Sequence, residues 1–259
     1  MTIDFFKYQG AGNDFIIIDN RFKEFDGDKE KTAVKLCNRK FGIGSDGLIF
    51  IEPSIHSTFK MDFLNPDGSR SFCGNGSRCA VKYIFDTGDV DDQISFEAID
   101  GEHIAKITNL GVLVEMNDVK NIDIEGRSYF TDTGSPHYVS FFDTVNELDM
   151  IKFGHKIRYS DKYNAKGTNV NAVEVVNESH IKVRTYERGV ENETLACGTG
   201  VTACALSYGL LNNLSEGEIN IDALGGNLIV SFKKSKFNVF TDIWLEGPAI
   251  YVFKGEINV

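Results

Sequence analysis

The sequence predicts an α+β fold of two pseudo-symmetric lobes from an internal duplication. Each lobe is a curled, mostly antiparallel sheet around a buried central helix, with the active site in the cleft between them. Three observations lead there. Short segments rich in Ile, Val and Phe run through most of the chain, broken by turns drawn from 25 glycines and only 4 prolines. The pattern Cys-Gly-x-Gly occurs twice, at Cys73 and Cys197, 197 − 73 = 124 residues apart. The stretch from Thr199 to Leu211 carries no charged residue. A helix that is apolar on every side has to be buried on every side.

The elements follow in order. "IDFFKYQG" and "DFIIIDN" read as strands, and "DGDKEKTAVKLCNRK" as a helix. The glycine-rich "FGIGSDG" leads into the strand "LIFIE", and "FKMDFLNPDGS" is a strand closed by a Pro-Asp-Gly turn. After "CGNGS" a helix runs to Thr87, with Gly88 as its stop. Arg78, Lys82 and Asp86 form one polar stripe along it. From Val90 to about Glu125, "QISFEAI", "HIAKIT" and "VLVEM" read as a β-meander. "YFTDTGSPHYVSFF" is strand, turn, strand. "NVNAVEVV" and "HIKVRTYERG" are strands, "CGTGVTACALSYGLL" is a helix, and "NLIVSF", "VFTDIWLEG" and "AIYVFKGEI" close the chain as strands.

The 124-residue offset extends beyond the cysteines. It carries Gly10 to Gly134, Asn13 to His137, and the loop at 42–47 to "KGTNVN" at 166–171. The polar turn before Cys73 maps onto "GVENETLA" before Cys197. Lobes at 1–125 and 126–259 are expected, with the last strand able to return to the first lobe.

A net charge of −11 weighs against sequence-independent nucleic-acid binding, which needs Lys and Arg to neutralise phosphates. No basic segment followed by an apolar run opens the chain, and no 18-residue apolar stretch suits a membrane span. Five cysteines, an odd number in a long chain, suit reduced thiols and a cytoplasmic location.

Each Cys-Gly-x-Gly cysteine sits just before a helix. The unpaired N–H groups and dipole at a helix N-terminus favour negative charge. They lower a thiol pKa from roughly 8.5 and can hold a carboxylate. Two such thiols facing one α-carbon could remove a proton from one side and return one to the other. The same N–H groups would stabilise the enolate-like charge without an electron-sink cofactor. Other uses of cysteine stay open at this point. A free cysteine is often a small core residue, the reading given to Cys37, Cys79 and Cys204. Zinc is disfavoured by the C-x5-C and C-x6-C spacings, so no metal is expected. The loop "FGIGSDG" lacks the dinucleotide-binding spacing. His137, after Ser-Pro and at the repeat position of Asn13, reads as a site residue. His56, His103, His155 and His180 read as surface residues.

"KYQGAGNDFIIID", "FGIGSDG", "NPDGSRSFCGNGSRC", "TGSPH", "GTNVN" and "YERGVENETLACGTG" together resemble the motif set of the diaminopimelate epimerase family, across nearly the whole chain. The resemblance implies interconversion of LL- and meso-diaminopimelate, toward lysine and peptidoglycan, without cofactor. Cys73 and Cys197 would be base and acid, with His137 and Glu187 tuning them. Gly74, Asn75, Gly198 and Thr199 would hold the reacting-end carboxylate. Asn13, Asn65, Asn171, Glu187 and Arg188 would contact the rest of the substrate. A homodimer is also implied. The family often has Gln at the position of Gly47 and usually Asn at that of Ser135. Here a glycine offers only backbone and a serine a shorter reach. Two other readings remain: a related cofactor-independent amino-acid racemase, and a dithiol redox protein using Cys73 and Cys197 as a reversible pair.

Overall fold

The computed structural model describes residues 2–88 and 90–258. The chain divides into one unit of Met1–Val114 with Gly247–Val259, and another of Glu115–Glu246. The division lies upstream of residue 125 because Asp123–Glu125 pairs as a strand with Ser128–Asp132, inside the second unit.

The first unit contains β1 (Thr2–Gly10), β2 (Asn13–Asp19), α1 (Lys29–Cys37), β3 (Gly47–Glu52), β4 (Phe59–Leu64), α2 (Gly74–Asp86), β5 (Gln93–Ala98) and β6 (Gly101–Thr108); β7 (Gly111–Met116) leads out of it. The second contains β8 (Asp123–Glu125), β9 (Ser128–Asp132), β10 (Pro136–Phe142), α3 (Met150–Arg158), β11 (Asn169–Asn177), β12 (His180–Glu187), β13 (Asn192–Thr194), α4 (Gly198–Leu211), β14 (Glu216–Ala223), β15 (Gly226–Lys234) and β16 (Phe240–Gly247). The last strand, β17 (Ile250–Asn258), pairs antiparallel with β1 and completes the first unit.

The pairing pattern is the same twice. β1 to β7 pair in chain order as antiparallel, parallel, antiparallel, parallel, antiparallel, antiparallel. So do β9, β10, β11, β12, β14, β15 and β16. Even the register repeats: Phe15 lies opposite Gly47, and Val139 opposite Asn171, each partner displaced by 124 residues.

Alternation along the strands separates two layers of core in the first unit. Phe15 and Ile17 of β2 and Ile49 and Ile51 of β3 join Cys79, Ala80, Val81 and Ile84 of α2. Ile16, Ile18, Leu48 and Phe50 join Ala33, Leu36 and Cys37 of α1 on the other face. Helix α1 begins where Asp28 accepts the Lys31 N–H at 3.0 Å, a side-chain cap. Helix α4 is buried from Gly198 through Gly209, as its lack of charge requires.

The structure adds strands β13 and β14, which the sequence reading lacks, and differs from that reading in three further places. Helix α3 has no counterpart in that reading, because mid-helix Gly154 weakens the pattern; Asp149 caps it by accepting the Lys152 N–H at 3.0 Å. Arg78 is not part of a solvated stripe but is fully buried. His103 is also buried, stacked on Phe72 at 4.6 Å and Phe96 at 5.3 Å, because β6 turns His103 and Ala105 inward together.

Gly154 lets α3 lie directly on β12. A Cβ there would stand 2.2 Å from Tyr186 Cγ, at the root of a ring that cannot swing away. Gly154→Ala is expected to cost about 1–3 kcal/mol of stability, measured by urea denaturation; an unchanged midpoint would show that α3 does not pack this way.

Candidate active site

Cys73 and Cys197 occupy the same structural position in their units. Each is the N-cap of a buried helix, α2 or α4, in extended backbone: φ −133°, ψ 105° for Cys73 and φ −127°, ψ 112° for Cys197. Extended geometry at the cap is what lets a side chain turn back over the first helical turn. The Cys73 sulfur does so, accepting the Gly76 N–H at 3.3 Å. Cys197 Sγ lies instead 3.4 Å from Thr199 Oγ1. The three other cysteines are buried thiols. Burial pushes Cys37 and Cys204 up and Cys79 well above the usual thiol range.

Around Cys73 the structure gathers Asn13, Gly74 and Asn75. Asn75 donates through Nδ2 to Asn13 Oδ1, and Asn13 donates through Nδ2 to Asp46 Oδ2 at 3.0 Å. Behind them Arg78 donates to Asn75 Oδ1 at 2.9 Å. With its oxygen held by a guanidinium and its amide nitrogen by Asn13, Asn75 has a fixed orientation. Burial lowers the Arg78 guanidinium to about 10. Asn65 lies in the turn after β4, donating to Ser69 and to Ser71 Oγ at 3.1 Å. Gly47 is walled in, since a Cβ there would meet the Phe63 ring at 2.3 Å. It offers only backbone.

Around Cys197 lie Gly198, Thr199 and His137. His137 is fully buried in β10, with Nε2 2.8 Å from Thr199 Oγ1 and Nδ1 3.2 Å from Asn171 Nδ2. Burial, with the Arg188 charge, lowers the imidazole to about 3, so the ring is neutral at physiological pH. Glu187 ends β12, half-buried, and Arg188 follows it, exposed. The Arg188 backbone N–H donates to Asn169 Oδ1 at 2.8 Å.

Asn171 stands apart from the other residues singled out from sequence. Its side chain is fully buried and bonded to His137, Tyr138 and Thr185. Asn169, two residues earlier, is the one that joins Ser135 and Arg188: it donates to Ser135 Oγ at 2.8 Å and to the Pro136 carbonyl at 3.0 Å. Two residues apart in β11, Asn169 and Asn171 share a face of the strand, so alternation cannot separate them; their places along the strand, opposite His137 and Val139, do.

The depressed His137 value has a consequence for stability. Its folded value of about 3 lies below the ordinary 6.5, so the unfolded chain takes up this proton first as pH falls. The contribution is full above pH 6.5 and is lost as pH falls toward 3. Roughly 2 kcal/mol should go between pH 7 and pH 5. Denaturant titrations at the two pH values should show that loss shrink in His137→Asn; an equal loss in both proteins would contradict a buried neutral ring.

The family model described as diaminopimelate epimerase matches residues 5–122 and 129–251. A diaminopimelate epimerase of Flavobacterium psychrophilum is 44% identical over 256 residues, covering 97% of this chain and 99% of that protein. One from Aquifex aeolicus is 38% identical, covering 99% and 98%. Among solved structures, a Bacillus anthracis phenazine biosynthesis protein aligns over 100% of both chains with a TM-score of 0.74 at 14% identity. A probable proline racemase of Agrobacterium radiobacter aligns over 99% of this chain and 93% of its own, also with a TM-score of 0.74, at 12% identity. These structures share the fold. The match to the family model and the near full-length identities establish that the chain belongs to the diaminopimelate epimerase family, whose members are isomerases.

Proposed function

We propose that this protein interconverts LL- and meso-diaminopimelate by two-base proton transfer at the α-carbon, in the supply of lysine and peptidoglycan precursors. The observation that carries the reading is the pair of cysteine N-caps, alike in backbone conformation and each heading a buried helix. One sulfur as thiolate removes the α-proton, and the other as thiol delivers a proton to the opposite face, with the roles exchanged in the reverse direction. The helix-start N–H groups at Gly74, Asn75, Gly198 and Thr199 hold the α-carboxylate and stabilise the charge that develops on it. Such a site needs no electron-sink cofactor.

The remainder of the substrate is assigned to Asn13, Asn65, Asn169, Glu187 and Arg188. Arg188 suits a distal carboxylate by paired N–H donation, and Glu187 an ammonium group. The filled space over Gly47 leaves that contact to backbone or water.

Incubation with LL-diaminopimelate in deuterated water should give α-deuteration together with the meso isomer. Cys73→Ala and Cys197→Ala should each lower kcat by roughly 10²–10⁴. Full activity of either variant would overturn the two-base reading. Turnover of a single-stereocentre amino acid with none of diaminopimelate would favour the related racemase.

A homodimer is also proposed. Its support is the run Ile250, Tyr251, Val252 and Phe253 of β17, each between 44 and 51% exposed, large apolar side chains that a partner subunit would cover. Sedimentation at micromolar concentration should give twice the chain mass, and Tyr251→Asp should halve it. A wild-type monomer would refute this.

A further inference from the structure

The buried network behind Cys197 can be followed proton by proton. Asn171 Nδ2 donates to the Tyr138 carbonyl at 3.0 Å. A carbonyl only accepts, so this atom is the nitrogen, and Oδ1 in turn accepts the Thr185 hydroxyl at 2.9 Å. Facing His137 Nδ1 at 3.2 Å, the same nitrogen can only donate. Nδ1 therefore presents its lone pair. A neutral ring with a bare Nδ1 carries its proton on Nε2. Nε2–H points to Thr199 Oγ1 at 2.8 Å. Having accepted there, the Thr199 hydroxyl has one proton left, and Cys197 Sγ lies 3.4 Å away. The Thr199 carbonyl is separately held by the Thr133 hydroxyl at 2.8 Å, which keeps this part of the helix start in place.

We infer that Asn171 is a positioning residue: by fixing the tautomer of His137 it aims the Thr199 hydroxyl proton at Cys197 and favours the thiolate form of that sulfur. The inference rests on the reading that Cys197 exchanges a proton with the substrate. His137 then acts as a donor and not as a base. Among the described residues the first unit has no equivalent device, because the repeat position of Asn171 is Gly47 and the Phe63 ring fills its space. The other partners of Asn171 are the Thr185 hydroxyl and the Tyr138 backbone carbonyl, and Arg188 is the charged group that acts on His137.

The test uses the full-length protein labelled with ¹⁵N-histidine, with the His137 signals identified by their loss in His137→Asn. The wild-type ring should stay neutral and Nε2-protonated from pH 5 to pH 9. Asn171→Asp should place a proton on Nδ1. The pH dependence of Cys197 alkylation, read in a Cys73→Ala background, should shift up by about one unit in both Asn171→Asp and Asn171→Leu. In the two-cysteine enzyme these changes should lower kcat by about 10-fold and leave KM for diaminopimelate within twofold. A wild-type ring protonated on Nδ1 would overturn the inference. So would a raised KM with unchanged kcat and unchanged alkylation, the signature of a substrate contact. The spectrum and the alkylation need no substrate, so they decide this point even if the protein proves inactive on diaminopimelate.

Discussion

The structure depends on placing a cysteine at the head of a buried helix, twice. A helix start leaves backbone N–H groups without carbonyl partners, and burial makes each such group costly. In α2 the Cys73 sulfur meets one of these groups at Gly76. The N–H groups at such a start suit an anion, the class of occupant that the proposed α-carboxylate belongs to. Fold and site therefore share one local requirement.

The two units meet that requirement with different side chains. In the first, the support for the helix start is a buried cation, Arg78, acting through Asn75. One of its nitrogens, Nη1, has no hydrogen-bond partner among the described residues, so the charge is only partly compensated. In the second, Thr202 stands at the repeat position of Arg78 and donates to its own helix at the Gly198 carbonyl, 2.9 Å away. A neutral imidazole takes over the support, bonded to Thr199. The backbone site was kept through the duplication while its electrostatic support diverged.

Much of this was legible in the sequence because it rests on spacing. The repeat at 124 residues located both helix starts, and the uncharged Thr199–Leu211 stretch announced its own burial. What was not legible depends on which neighbours a side chain meets in the folded sheet. Asn169 and Asn171 both lie in "GTNVN", and only the sheet shows that one reaches Ser135 while the other is sealed behind His137. In the sequence Arg78 reads as part of a solvated stripe, since charge normally marks the wet face of a helix. It is buried because its partners are Asn75 and the Pro248 carbonyl, the latter 170 residues away in sequence. His103 departs from a surface position for a related reason: in β6 the alternation that buries Ala105 also buries the histidine.

The register match between Phe15–Gly47 and Val139–Asn171 explains why the divergence took the form it did. At the Gly47 position the Phe63 ring occupies the space an amide would need, so no donor could reach the residue at position 13 from that strand. Asn13 is held from elsewhere, through Asp46 and Asn75, and an amide suits that place because it can accept from one and donate to the other. At the Asn171 position the space is open to an amide, and a ring with two inequivalent nitrogens can be held in one tautomer. A histidine at 13 would lack the donor that fixes its tautomer. An asparagine at 137 would lose the reach that lets one ring touch both Asn171 and Thr199. Each half-site is thus consistent only with its own set of supporting residues, which is why equivalent positions carry different chemistry on a shared backbone.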